Sequence, residues 1–263
     1  MKLHCHEWGA RGAPPVVCLH GVTAFGGRYK QLAEERWAKR FHVIAPDLRG
    51  HGRSDWDPPW TFGTHVADLI ETIDALGLER PDWVGHSFGG RLLLELAARH
   101  PERMRRVVLL DPAIHVLPHI AAQVAHLELA EPVWGSIDDY LATRTDAGGM
   151  DVERARADLA LHVDTLPDGR IRRRTSQAAV VAIYGELASE PPPAEVLTMP
   201  TLLLYAPAYG LVRDEHLEAY GSRAEVITVD GMHMVMWAAF DDVADAVERF
   251  LSDTTSEDPS AEG

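Results

Sequence analysis

The stretch VGHSFGG, residues 84–90, decides how the rest of the chain is read. A serine stands between Gly85 and Gly89. The residues leading into it, DWVGHS (82–87), have the apolar character of a strand. Those that follow, Phe88 to His100, read as a helix that stops before Pro101. A sharp strand-to-helix turn lifts a serine side chain above a sheet, and glycines on both flanks give the backbone room. The helix N-terminus also favours developing negative charge. This setting, more than the G-x-S-x-G pattern alone, marks Ser87 as a candidate nucleophile.

Outward from that turn, strand-like runs alternate with helical ones. PPVVCLH (14–20), FHVIAPD (41–47), RRVVLLD (105–111), TLLLYA (201–206) and AEVITVD (224–230) join DWVGHS as strands. Several are apolar at successive positions, as expected of strands covered on both faces. The helix expected from His65 to Leu76 sets Val66, Leu69, Ile70, Ile73 and Leu76 on one face, with Thr64 as N-cap and Gly77 as stop. Asp241 to Leu251 repeats the pattern. Strand-helix alternation predicts an α/β fold with a doubly wound, mostly parallel sheet, and residues 3–8 form an edge strand.

One region breaks the rhythm. From about His115 to Glu190 no strand is expected, only helical fragments, a glycine pair at 148–149 and a PPP run at 191–193. The expected division is a core of residues 1–114 and 191–252, an inserted helical cap over 115–190 and a disordered acidic tail over 253–263.

With the strand-turn-helix around Ser87 in place, three further features resemble the α/β-hydrolase family. His20-Gly21-Val22 follows the strand PPVVCLH, like that family's HG oxyanion loop. Residues 47–54, DLRGHGRS, are similar to its D-x-R-G-x-G-x-S turn. Gly231-Met232-His233 follows the last strand, where such enzymes carry their histidine. The resemblance spans about residues 14–111 and 196–251. It implies a serine hydrolase or esterase, and the cap matches no one subfamily well enough to imply a substrate.

A serine hydroxyl needs a base. His233 follows a strand, lies in a loop and comes last in the order Ser…Asp…His. His86, beside the serine, is expected to point elsewhere. His20 is expected to buttress the oxyanion loop, and His51 to belong to the turn. By resemblance, the acid belongs in the loop after TLLLYA. There Leu211-Val212 matches the residues after the family's acid, which leaves Tyr209 where Asp is usual. A tyrosine is neutral near pH 7 and cannot stabilise an imidazolium. Two carboxylates remain open: Asp111, closing the strand VVLLD where some family members place their acid, and Asp214, in the next helix. Asp111 is the primary assignment. Backbone N–H groups of Val22 and Phe88 are the candidate oxyanion hole.

Phe25, Trp134, Tyr140, Tyr184 and Tyr209 are candidates to line a substrate pocket. The basic run Arg170, Arg172, Arg173 and Arg174 reads chiefly as a solvated face. His4 and His6 share a strand face without a clear third ligand, so no metal is expected, and no nucleotide fingerprint implies a cofactor.

The totals set bounds. A net charge of −15 argues against a nucleic-acid partner. Two cysteines are too few for a disulfide framework, and MKLHCHEWG lacks the apolar segment of a signal peptide. No apolar run approaches the roughly 20 residues of a membrane span. The expectation is a cytoplasmic protein acting on a small ester or lactone through a Ser87-His233-Asp111 triad. Carbon–carbon hydrolysis and peracid formation use the same triad and stay open. So does a binding or receptor protein on a hydrolase scaffold.

Overall fold

Val16 and Cys18 turn to one face of a central sheet, and Val17 and Leu19 to the other. Val108 and Leu110 oppose Val107 and Leu109 in the same way, as Leu202 and Leu204 oppose Leu203. Successive side chains of a strand point to opposite faces, so runs with no polar position are strands sandwiched between two helical layers. This is the computed structural model of the chain, and it describes residues 3–129, 133–143 and 151–253. The expected acidic tail from 254 onward and the glycine pair at 148–149 lie outside the described residues.

In chain order the strands are β1 (Cys5–Trp8), β2 (Pro15–Leu19), β3 (His42–Pro46), β4 (Asp82–His86), β5 (Val107–Leu110), β6 (Val163–Thr165), β7 (Ile171–Arg173), β8 (Thr201–Tyr205) and β9 (Glu225–Thr228). The α-helices are α1 (Lys30–Glu35), α2 (Phe62–Ala75), α3 (Phe88–Arg99), α4 (Pro118–Glu128), α5 (Ile137–Ala142), α6 (Val152–Ala160), α7 (Gln177–Leu187), α8 (Asp214–Tyr220), α9 (Val235–Ala238) and α10 (Phe240–Ser252). Seven strands form one sheet in the order β1-β3-β2-β4-β5-β8-β9. Only β1 runs antiparallel, at the expected edge. The buried faces of α2 and α3 cover one side of the sheet, and α1 and α10 cover the other. The chain steps outward from β2 to β3 and then crosses back to β4. That reversal opens a crevice beyond the C-terminal ends of the central strands, where ligands of open α/β sheets bind.

Two local expectations need correction. Helix α2 begins at Phe62, and Thr61, not Thr64, caps it: Thr64 N–H donates to Thr61 Oγ1 at 3.2 Å. The segment between β5 and β8 also contains a hairpin, β6–β7, where no strand was expected. Its turn is Leu166-Pro167-Asp168-Gly169-Arg170, closed by Leu166 N–H to Arg170 O at 2.7 Å, with Gly169 at φ +84°. The strands, Val163-Asp164-Thr165 and Ile171-Arg172-Arg173, are three residues long with one large apolar residue each, so alternation is too brief to register. In the same segment α5 and α6 bury Tyr140, Leu141, Ala155 and Leu159 against Met234 and Trp237.

Candidate active site

Ser87 joins β4 to α3. Its N–H donates to Leu110 O at 3.1 Å, extending the parallel ladder past the end of β4. Its backbone sits at φ 55°, ψ −116°, a region that L-residues enter only when the surroundings enforce it. The surroundings here are glycine backbones. A Cβ on Gly85 would meet Gly89 O at 2.5 Å, and one on Gly89 would meet Leu19 O at 2.3 Å. The strand-to-helix turn closes only because both positions lack side chains.

Asp111 leaves β5 in a similar way. It is fully buried, at φ 39°, and its N–H donates to Leu204 O at 2.7 Å. Its Oδ1 accepts from Ala206 N–H at 3.2 Å, at the end of β8. Its Oδ2 lies 2.6 Å from His233 Nδ1. His233 Nε2 in turn lies 2.9 Å from Ser87 Oγ. An ionised carboxylate only accepts, so Nδ1 carries the ring proton and Nε2 can accept the serine's hydrogen. Three residues from three strand ends thus form one hydrogen-bonded line. Asp214, the other carboxylate considered, is the first residue of α8.

The neighbouring histidines divide into distinct tasks. His86 does not point away, as expected of it. Its ring lies 4.7 Å from that of His233, and its Nε2 donates to His233 O at 2.9 Å, tethering the backbone that carries the candidate base. His20 Nδ1 donates to Gly21 O at 2.8 Å, while its Nε2 accepts from Leu48 N–H at 3.0 Å. One donor and one acceptor require the neutral ring, and burial, followed by the nearby His51, pushes its pKa well below the ordinary histidine value. In a trans peptide the N–H points opposite to the C=O. Holding Gly21 O therefore fixes the direction of Val22 N–H. His51 Nε2 reaches Val22 O at 2.6 Å, a second anchor on the same loop that the sequence reading placed only in the turn. Gly21 abuts the serine: a Cβ there would lie 3.6 Å from Ser87 Oγ. Phe88, as first residue of α3, has no intrahelical acceptor for its N–H.

These groups open onto a cavity of about 500 Å³. Trp134, Tyr140, Tyr184 and Tyr209 line it together with Ser87 and His233. Tyr209 lies flat on the His233 ring, at 4.7 Å and 13°. Ile120, Val124, Leu127 and Leu211 supply apolar wall. Phe25 is not part of this wall. Gly26 N–H donates to Asp47 Oδ1 at 2.8 Å, which turns the chain so that the Phe25 ring stacks on His162 at 4.6 Å and meets His6 edge-on. Arg28 takes its place in the lining, a residue the sequence reading missed. Arg28 is buried, ion-paired with Asp158 at 2.8 Å and stacked over Trp237 at 4.6 Å. The arginine run is also not uniformly solvated. Arg170 pairs with Asp168 and Arg174 with Asp164 near the surface, but Arg173 is buried against Glu128, beside the Trp134 and Tyr140 rings, and lines the cavity.

Comparison with known proteins agrees with this architecture. A family model described as the alpha/beta hydrolase fold matches residues 14–239. Over 260 residues the chain is 34% identical to a protein named Lipase LipV of Mycobacterium tuberculosis, covering 95% of this chain and 98% of that protein. A 2-hydroxymuconate semialdehyde hydrolase of a Pseudomonas species is 39% identical over 119 residues, 43% of this chain and 41% of that protein. Among solved structures, an E-2-(acetamidomethylene)succinate hydrolase superposes with a TM-score of 0.84 at 24% identity, covering 95% of each chain. Among the described residues no helix is long and apolar enough to cross a membrane. On the match across most of its length and the likeness to the mycobacterial lipase, the chain belongs to the alpha/beta hydrolase fold family.

Proposed function

We propose that this protein is a serine hydrolase that cleaves a carboxylic ester or lactone through an acyl-enzyme. The observation that carries the proposal is the line Asp111–His233–Ser87, at 2.6 and 2.9 Å, with Ser87 and His233 on the wall of a cavity that combines apolar side chains with Arg28 and Arg173. Ser87 Oγ attacks the substrate carbonyl as His233 Nε2 takes its proton. Asp111 holds the ring's orientation and stabilises the imidazolium. The oxyanion is met by the N–H groups of Phe88 and Val22. His233 returns the proton to the leaving alcohol, and water then repeats the sequence on the acyl-enzyme.

Residues 115–190 act as a cap in this reading. Helices α4 and α7 and the Trp134–Tyr140 stretch face the cavity with side chains suited to an apolar acyl or alcohol group. The full-length likeness to a protein named as a lipase supports ester chemistry. The partial likeness to a 2-hydroxymuconate semialdehyde hydrolase is the reason to test carbon–carbon cleavage alongside it. The test is turnover of a chain-length series of chromogenic esters and of a vinylogous diketone acid, with Ser87→Ala as control. Ester turnover that vanishes in Ser87→Ala is the expected result. Turnover of the diketone acid alone replaces the substrate class, and turnover of neither favours a binding protein.

A further inference from the structure

His4 and His6 lie two residues apart, His6 within β1 and His4 just before it, so both rings fall on one face of the strand. The register sets what lies across from them. Cys5 pairs with Pro46 and His6 with Ala45, and Asp47 N–H donates to His4 O at 2.8 Å, which carries the ladder one step further. Asp47 therefore sits opposite His4, beside His6. One ligand atom from each of His4, His6 and Asp47 falls within 4.8 Å of the others. The third ligand missing from the linear sequence is supplied across the strand pair.

The detailed geometry suits a shared ion. His6 Nε2 and Asp47 Oδ1 are 3.0 Å apart. Two ligands each about 2.0–2.1 Å from one metal stand about 2.9 Å apart at right angles and about 3.4 Å apart at tetrahedral angles, so a shift of roughly a few tenths of an ångström seats both on one ion. The carboxylate is buried and already oriented by backbone amides: Gly26 N–H on Oδ1 and Arg53 N–H on Oδ2, both at 2.8 Å. Such outer contacts hold a ligand in place before the ion arrives. The two histidine rings are partly exposed, so an ion has an approach from solvent. The Arg53 side chain opposes a cation here, but it is itself exposed to water, which screens it.

The geometry points to a structural site for a borderline divalent transition metal, of the Zn²⁺ class, formed by His4, His6 and Asp47 with water completing the shell. Two imidazoles and one carboxylate suit Zn²⁺ and its neighbours, not the oxygen-seeking Mg²⁺ or Ca²⁺. His6 and Asp47 line a different cavity from the one that Ser87 lines. It would clamp edge strand β1 to the end of β3 and, through the Gly26 amide on the same carboxylate, to the turn that seats Phe25.

The test uses the full chain, stripped with EDTA and desalted, and titrated with Zn²⁺ alone by calorimetry. Thermal unfolding is followed in parallel. The expected result is one saturable Zn²⁺ per chain and a raised Tm. His4→Ala and His6→Ala should each weaken binding by more than the roughly 10–100-fold lost with an outer contact. Mg²⁺ should leave Tm unchanged, and ester turnover should be the same in wild type and both variants. Asp47→Asn is avoided because Asp47 also braces the turn. No saturable Zn²⁺ binding, or binding that survives in the His4→Ala, His6→Ala double variant, overturns the proposal.

Discussion

The Asp111 carboxylate lies 2.6 Å from His233 Nδ1, although Asp111 follows β5 and not β8. The loop after β8 contributes instead a backbone amide, Ala206 N–H, to the same carboxylate, and the Tyr209 ring to the face of the histidine. Adjacent strand ends thus share a task that a single loop can perform. Asp111→Asn keeps the shape and removes the charge, so kcat is expected to fall by about 10³–10⁴-fold with little change in KM. Asp214→Asn is expected to keep wild-type kcat. Steady-state ester hydrolysis by the two folded variants checks both.

His20 acts through the Gly21–Val22 peptide. With its Nδ1 donor removed, Gly21 O loses its anchor and Val22 N–H its direction. His20→Ala is expected to lower kcat by up to about 10²-fold, near the lower end of what losing an oxyanion donor costs, with KM nearly unchanged. His20→Asn, which keeps a donor, should recover part of the loss. The split between kcat and KM distinguishes this from general destabilisation.

Arg28 and Asp158 are both buried, and their ion pair ties the turn after β2 to α6. Burial raises the Asp158 pKa, and the Arg28 charge opposes that rise. Asp158→Ala leaves a buried guanidinium without its counter-charge and is expected to cost about 3–5 kcal/mol. Adding Arg28→Met should restore part of it. Urea unfolding of the single and double variants measures the difference.

Asp82, at the start of β4, is fully buried, and burial pushes its carboxyl up to about 6 against the pull of Arg105. The folded state therefore holds this proton at a pH where the unfolded chain has released it. Stability contributed by the protonated form is complete below the unfolded value near 4 and is lost as pH rises to about 6. Asp82→Asn removes this titration. Urea midpoints across that window should fall more steeply with pH in the wild type than in the variant.

The central strands and Ser87 were legible because burial on both sheet faces leaves unbroken apolar runs, and because a glycine-boxed serine between strand and helix has few other uses. The contact of Asp111 with His233 was legible from chain order, once Tyr209 left the usual position without an anion. Directions within turns were not. Phe25 and Arg28 are three positions apart, and which one faces the cavity depends on the Gly26–Asp47 hydrogen bond, a contact between distant segments. Arg173 looked solvated because charge runs usually are, yet its partner Glu128 comes from α4. The β6–β7 hairpin carried a readable turn, Pro167-Asp168-Gly169, but strands too short to confirm it. The pairing of His4 with Asp47 needed the β1–β3 register, which no local pattern contains.

The central claim is that Ser87 is a nucleophile activated by His233 and Asp111. Covalent capture with a fluorophosphonate, read by intact mass and peptide mapping, tests it most directly. The predicted result is one adduct per chain on the peptide bearing Ser87, absent in Ser87→Ala and formed far more slowly in Asp111→Asn. Labelling of Ser87→Ala at the wild-type rate, or ester turnover by a wild-type protein that resists labelling, would contradict it.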